Sequence, residues 1–71
     1  MKEIKIPVKD LKCSKSKYNK IEVELLKKRF LNKKLIPSPW INKNNQVIAF
    51  YTSFFVLKEI GFKEIGVVLN E

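Results

Sequence analysis

The side chains best suited to chemistry are basic residues in the first half of the chain. The 71 residues carry a net charge of +8, and residues 1–34 hold 12 Lys or Arg against 4 Asp or Glu. A one-sided basic surface is typical of proteins that contact phosphate backbones or an acidic partner. We therefore predict contacts with nucleic acid, with DNA as the expected form, from eight residues: Lys15, Lys17, Lys20, Lys27, Lys28, Arg29, Lys33 and Lys34.

Two features limit this prediction. Arginine, the better reader of base edges, occurs once, so the predicted binding has low sequence specificity. All other basic residues are lysines, which an A/T-rich genome also produces without a functional reason. RNA or an acidic protein would fit the same charge.

Groups for catalysis are sparse. The chain has one Asp, six Glu and no His, without clustered carboxylates or metal-ligand spacing, so we expect no enzyme activity, no metal and no cofactor. Cys13 is the only cysteine. Lys12 and Lys15 beside it would lower its thiol pKa in a reactive interpretation, and the alternative is an ordinary loop cysteine.

The second half predicts a strand, a helix and a strand. Residues 46–50 form a short apolar strand, residues 52–60 a helix that ends at Gly61, and residues 64–69 a second strand. Thr52 and Ser53 at the helix start would cap it and could bind phosphate weakly. No cation lies between Lys43 and Lys58, so we expect no nucleotide hydrolysis.

The first half predicts a strand, a lysine-rich loop and a helix. Pro7 restricts strand 2–8 to a sheet edge, and residues 12–20 form a solvated loop. Asn19 and Glu22 have the spacing of a capping box for a helix over residues 21–34, whose apolar face would pack on a sheet. Residues 40–42 form a short strand, with Trp40 in the core, before a turn at residues 43–45.

Several segments together resemble the N-terminal domain of the ParB family and its structural relative sulfiredoxin. The resemblance rests on Ile4-Lys5-Ile6-Pro7-Val8, on Val47-Ile48-Ala49, on Lys58-Glu59-Ile60-Gly61 and on Ile65-Gly66-Val67-Val68. It implies an α+β fold of order β-α-β-β-α-β, with a mixed sheet and two helices. Where the family has Gly-Glu/His-Arg-Arg, this chain has Phe50-Tyr51-Thr52-Ser53, so the nucleotide motif is degenerate.

The predicted second helix is apolar around most of its circumference. One small sheet cannot cover that much apolar surface. We predict an interface for a second copy or another protein at Tyr51, Phe54 and Phe55. The alternative is that a long side chain from the first helix or the loop covers Phe55.

The sequence therefore predicts a single domain over residues 1–71. Its expected function is that of a non-enzymatic, DNA-associated accessory protein of the partition type, as the resemblance and the charge imply. The alternatives are a protein-interaction or homodimerisation module and a weak phosphate binder. No segment has the apolar length of a signal peptide core or a membrane span, so we expect a cytoplasmic protein without membrane contact.

Overall fold

The computed structural model describes residues 2–70, which form four strands, two α-helices and two short 3-10 helices, Val8–Asp10 and Lys15–Lys17. The strands are β1 (Lys2–Pro7), β2 (Trp40–Ile41), β3 (Val47–Ala49) and β4 (Glu64–Leu69), and the helices are α1 (Lys20–Leu31) and α2 (Tyr51–Ile60). The chain order is β-α-β-β-α-β. The predicted α+β fold class is confirmed.

The sheet is mixed, with strand order β1-β4-β2-β3. β1 pairs with β4 and β2 with β3 in antiparallel fashion, whereas β2 and β4 run parallel. β1 lies at one edge, as its proline predicts, because proline has no N–H to donate to a further strand.

One apolar core lies between the sheet and α2. Its buried members are Leu11, Ile41, Val47, Phe54, Ile65 and Val67. The strand residues among them come from β2, β3 and β4, while Ile4 and Ile6 of β1 are partly buried against the cluster, and Phe54 is the α2 residue buried in it.

α2 packs against two neighbours, the sheet and α1. Val23 on α1 and Val56 on α2 are both fully buried. The prediction that α1 packs on the sheet is wrong. The physical reason is that α2 is apolar almost all round, so its outer face gains more from cover by α1 than it would from water.

Local signals set most helix ends. The Asn19 side chain accepts a hydrogen bond from the Glu22 N–H at 3.2 Å, as expected for the N-cap of α1. α1 ends at Leu31, earlier than predicted, because Lys33 turns into the left-handed region with φ 62°. α2 ends at Gly61 with φ 107°, a conformation that glycine adopts without steric cost.

Phe50, the residue before α2, has an unusual backbone. Its φ of 57° and ψ of 46° are left-handed, which is strained for a residue with a bulky side chain. Its ring lies edge-on to Trp40, with 6.0 Å between centroids. Trp40 is half-buried rather than a core residue as predicted, because this aromatic contact lies outside the central cluster.

Within residues 2–70, neither helix is long and apolar enough to span a bilayer.

Candidate nucleic-acid interface and the start of α2

The lysine-rich loop has local structure that displays its side chains. Lys15–Lys17 form one 3-10 turn, capped by the Ser14 hydroxyl, which accepts a hydrogen bond from the Ser16 N–H. All three residues of the turn are exposed. The turn leads directly to the N-terminus of α1, so the loop lysines and the helix lysines form one continuous basic segment.

The cations of α1 are spread around its surface rather than gathered on one line. Lys20 and Lys27 are seven residues apart and lie about 20° from each other around the helix axis, at ~100° per residue. Lys28 lies about 100° further round, and Arg29 about 100° beyond Lys28. A single straight phosphate backbone of DNA therefore contacts Lys20, Lys27 and Lys28 more readily than Arg29.

Seven of the eight predicted contact residues are exposed, and Lys27 is the exception. Its ammonium lies 3.8 Å from Glu59 Oε1, the one ion pair among residues 2–70. Both side chains are about one-third exposed, so the pair is weak. Lys27 is thus less available to phosphate than the sequence predicts.

At the start of α2, where the resemblance implied a phosphate site, the structure places a carboxylate from α1. The Thr52 hydroxyl donates a hydrogen bond to Glu22 Oε2 on α1 at 3.4 Å. An open groove of about 450 Å³ lies beside this contact, and Leu25, Leu26, Lys28 and Arg29 complete its walls. The capping box therefore forms only on its Asn19 side, and the Glu22 side chain turns to α2 instead.

Ser53, the second predicted phosphate contact, is 1% exposed, and its hydroxyl has no hydrogen-bond partner. A buried hydroxyl cannot meet a solvated phosphate. The prediction that Ser53 contacts phosphate is therefore wrong, because this α2 side chain is buried within the fold. The Ser53 backbone N–H donates to the Phe50 carbonyl at 3.2 Å, so this N–H is not free for an anion either.

The predicted interface on α2 is covered within the chain. Phe54 is 3% exposed and belongs to the core, so its prediction as an interface residue is corrected. The Tyr18 ring packs edge-on against Phe55 at 5.1 Å, and Lys17 Nζ lies 5.1 Å from the centre of the Tyr51 ring. The alternative weighed from the sequence, cover by the loop, describes this structure.

Tyr18 is held over α2 by a second contact. Its hydroxyl donates a hydrogen bond to Glu59 Oε2 at 3.2 Å. Desolvation raises the pKa of the Tyr18 phenol, and the Glu59 hydrogen bond with the negative charges of Glu59 and Glu24 raises it further. Glu59 thereby links the loop, through Tyr18, and α1, through Lys27, to the end of α2.

Cys13 does not have the environment of a reactive thiol. It is half-buried, and burial raises its pKa, an effect that the charges of Lys17 and Lys58 oppose only in part. Lys12 and Lys15, the neighbours expected to activate it, do not contribute to this balance. Within residues 2–70, no three His, Cys, Asp or Glu side chains form a group that could hold a metal.

Sequence reasoning missed the roles of Glu22, Tyr18 and Phe50. Glu22 and Tyr18 act through tertiary contacts, for which a single sequence carries no signal. Phe50 did carry one: it stands where the resembled motif has glycine, and glycine at a strand-to-helix turn indicates a left-handed backbone.

Comparison with solved structures identifies the fold. Two structures of a pNOB8-like ParB N-domain match 96% of this chain, one with a TM-score of 0.74 at 25% identity and one with a TM-score of 0.72 at 24% identity. The chain spans 29% and 26% of the length of those two chains. No family model and no curated protein matches the sequence.

Proposed function

We propose, from its ParB N-domain-like fold, that the chain is a non-enzymatic, DNA-associated accessory protein of the partition type. The basic segment of residues 15–34 contacts the phosphate backbone. Sequence preference is low, because backbone contacts position a protein on DNA without reading its bases.

The observation that carries this proposal is the exposure of the basic segment. Seven of its eight cations are exposed, and in residues 2–70 only Lys27 forms an ion pair. Cations on a helix end also interact favourably with its dipole, yet that interaction extends only over the last turn. The dipole interaction therefore explains the positions of Lys28 and Arg29 but not those of the lysines in the 3-10 turn.

The surroundings of Thr52 support a role without nucleotide capture. Charged phosphates gain most from guanidinium or ammonium partners, and the nearest ionised group to the Thr52 hydroxyl is the Glu22 carboxylate. An anion at the Thr52 hydroxyl must displace this carboxylate, although the groove beside it also exposes Lys28 and Arg29. The fold is thus combined with a binding surface that lies elsewhere, on the loop and α1.

The test measures binding of a short duplex by fluorescence anisotropy at two salt concentrations. Replacing Lys20 and Lys34 by Gln removes two exposed cations of the basic segment. We expect weaker binding, and a salt slope smaller by about one for each lysine removed.

The matched control replaces Lys5 and Lys63 by Gln, which changes the net charge equally at exposed positions on or beside the sheet edge. The control should retain more affinity than the Lys20/Lys34 variant. Equal losses of affinity in the two variants would mean that total charge, and not the basic segment, determines binding. Absence of wild-type binding to DNA at low salt would overturn the proposed DNA-associated function.

A further inference from the structure

The outer face of α1 presents apolar side chains that nothing in residues 2–70 covers. Ile21 is 73% exposed and Leu25 is 60% exposed. They are four residues apart and therefore neighbours on one side of the helix. Val23, on the opposite side, is fully buried against the rest of the chain. Single exposed apolar residues are ordinary, so the charges around this pair decide its meaning.

Both flanks of the Ile21–Leu25 stripe carry one acid and one base. Glu22 and Arg29 lie on one flank, about 20° apart around the axis, and Glu24 and Lys28 lie on the other flank, about 40° apart. All four side chains are exposed. On each flank the acid is nearer the N-terminus of α1 and the base nearer its C-terminus.

This arrangement is self-complementary when two copies of α1 meet antiparallel. A two-fold axis midway between Glu22 and Arg29 places Glu22 of each copy opposite Arg29 of the other copy. An axis midway between Glu24 and Lys28 does the same on the second flank. The two midpoints differ by half a residue, about 0.8 Å along the helix, so one axis beside Leu25 serves both flanks. A parallel pairing would instead bring like charges together.

We propose that a second copy of the chain docks on this face, α1 against α1 in antiparallel orientation, and buries Ile21 and Leu25. Such an interface is isologous, because each copy offers the same patch. Glu22 can take part while it holds Thr52, because that bond uses one oxygen and leaves the other free to accept from the partner's Arg29.

A second copy fits the face better than a uniformly acidic partner, which would meet Glu22 and Glu24 with like charge. The contact is small: α1 has 12 residues and is about 18 Å long, so two such helices bury less than a standard interface. The dimer is therefore weak, with a Kd of about 10⁻⁴ M. Lys28 and Arg29 belong both to this α1–α1 contact, the dimer seam, and to the basic segment. DNA binding and dimerisation therefore compete for these two residues.

Sedimentation equilibrium up to about 1 mM protein tests the proposal, a range that covers the expected Kd. Glu24→Lys and Lys28→Glu each place like charges across the seam twice, and each variant alone should dimerise at least about tenfold more weakly. An equimolar mixture restores both opposite-charge contacts and the total charge of the wild-type dimer. We expect the mixture to form a heterodimer with wild-type strength.

Circular dichroism checks that each variant is folded. Leu25→Asp should abolish association, whereas Leu35→Asp, at a 97% exposed site beyond the helix, should leave it unchanged. A wild-type chain that stays monomeric throughout the range overturns the proposal and leaves the face to an unlike partner. A mixture no stronger than the single variants overturns it as well.

Discussion

The Thr52 hydroxyl at the start of α2 donates a hydrogen bond to the Glu22 carboxylate of α1 across 3.4 Å. Glu22 thereby places a negative charge beside the N-terminus of α2, where the helix dipole favours an anion. The chain supplies its own anion at the turn, and a phosphate would have to displace it.

The first prediction concerns nucleotides. Wild-type protein should show no saturable heat with magnesium and ATP or CTP, which means no binding tighter than about 1 mM. Glu22→Gln combined with Thr52→Arg removes the carboxylate and adds a guanidinium at the position where the resembled motif has arginine. This double variant should gain measurable binding by calorimetry, since charge-assisted bonds to phosphate are about twice as strong as neutral ones.

The single variant Glu22→Gln is the control, because it removes the charge without adding a partner. Tight, magnesium-dependent binding by the wild-type chain would contradict the account of this turn.

The second prediction concerns the backbone strain at Phe50. A left-handed conformation costs a residue with a side chain roughly 1–2 kcal/mol, and glycine avoids most of that cost. Phe50→Ala and Phe50→Gly both lose the ring contact with Trp40, but only glycine relieves the strain. Urea unfolding should show the glycine variant to be about 1 kcal/mol more stable than the alanine variant. Equal stability would indicate that the left-handed turn is not populated in solution.

Ser53 provides the third prediction. A buried hydroxyl without a partner loses its hydration and gains nothing in return. Ser53→Ala should raise the free energy of unfolding by about 1 kcal/mol in urea titrations. Thr52→Val, which breaks the bond to Glu22 at the neighbouring position, should lower it slightly. If Ser53→Ala is destabilising instead, the hydroxyl has a hydrogen-bond partner in solution.

The fourth prediction is a pH dependence that originates at Tyr18. Its folded-state pKa lies above the ordinary value of 10.0, so its contribution to stability is complete below the unfolded pKa and is lost as pH rises through the folded pKa. The stability difference between wild type and Tyr18→Phe should therefore shrink above about pH 10.

Absorbance titration in a Tyr51→Phe background follows Tyr18 as the only tyrosine, since the chain has two. A midpoint at or below that of free tyrosine would refute the contact with Glu59.

Local sequence signals predicted much of the fold. The N-cap at Asn19, the helix end at Gly61 and strand β4 each depend on a few adjacent residues, and the structure confirms them. Asn45 has a φ of 61° in the turn between β2 and β3, as expected for asparagine in a hairpin. The locally predicted elements already give the order β-α-β-β-α-β, and the resemblance added how they assemble, as a mixed sheet with two helices.

The candidate site was harder to predict, because its geometry depends on how separate elements pack. Tyr18 and Phe55 are 37 positions apart in sequence, yet their rings touch and cover the surface that the sequence predicted as an interface. The excess of apolar residues on α2 was a correct signal of burial, and its cover came from α1 and the loop. Glu22 had an assigned local role, capping, and tertiary packing gave its side chain a different one.

The most direct test of the central claim is the salt dependence of DNA binding by the wild-type chain. We expect affinity for two unrelated duplexes to be nearly equal and to fall steeply with salt, with a slope of log K against log [salt] of about −3 to −6, as several backbone contacts require. Binding that fails at low salt, or that is strong and independent of salt, would contradict a phosphate-contacting role for residues 15–34.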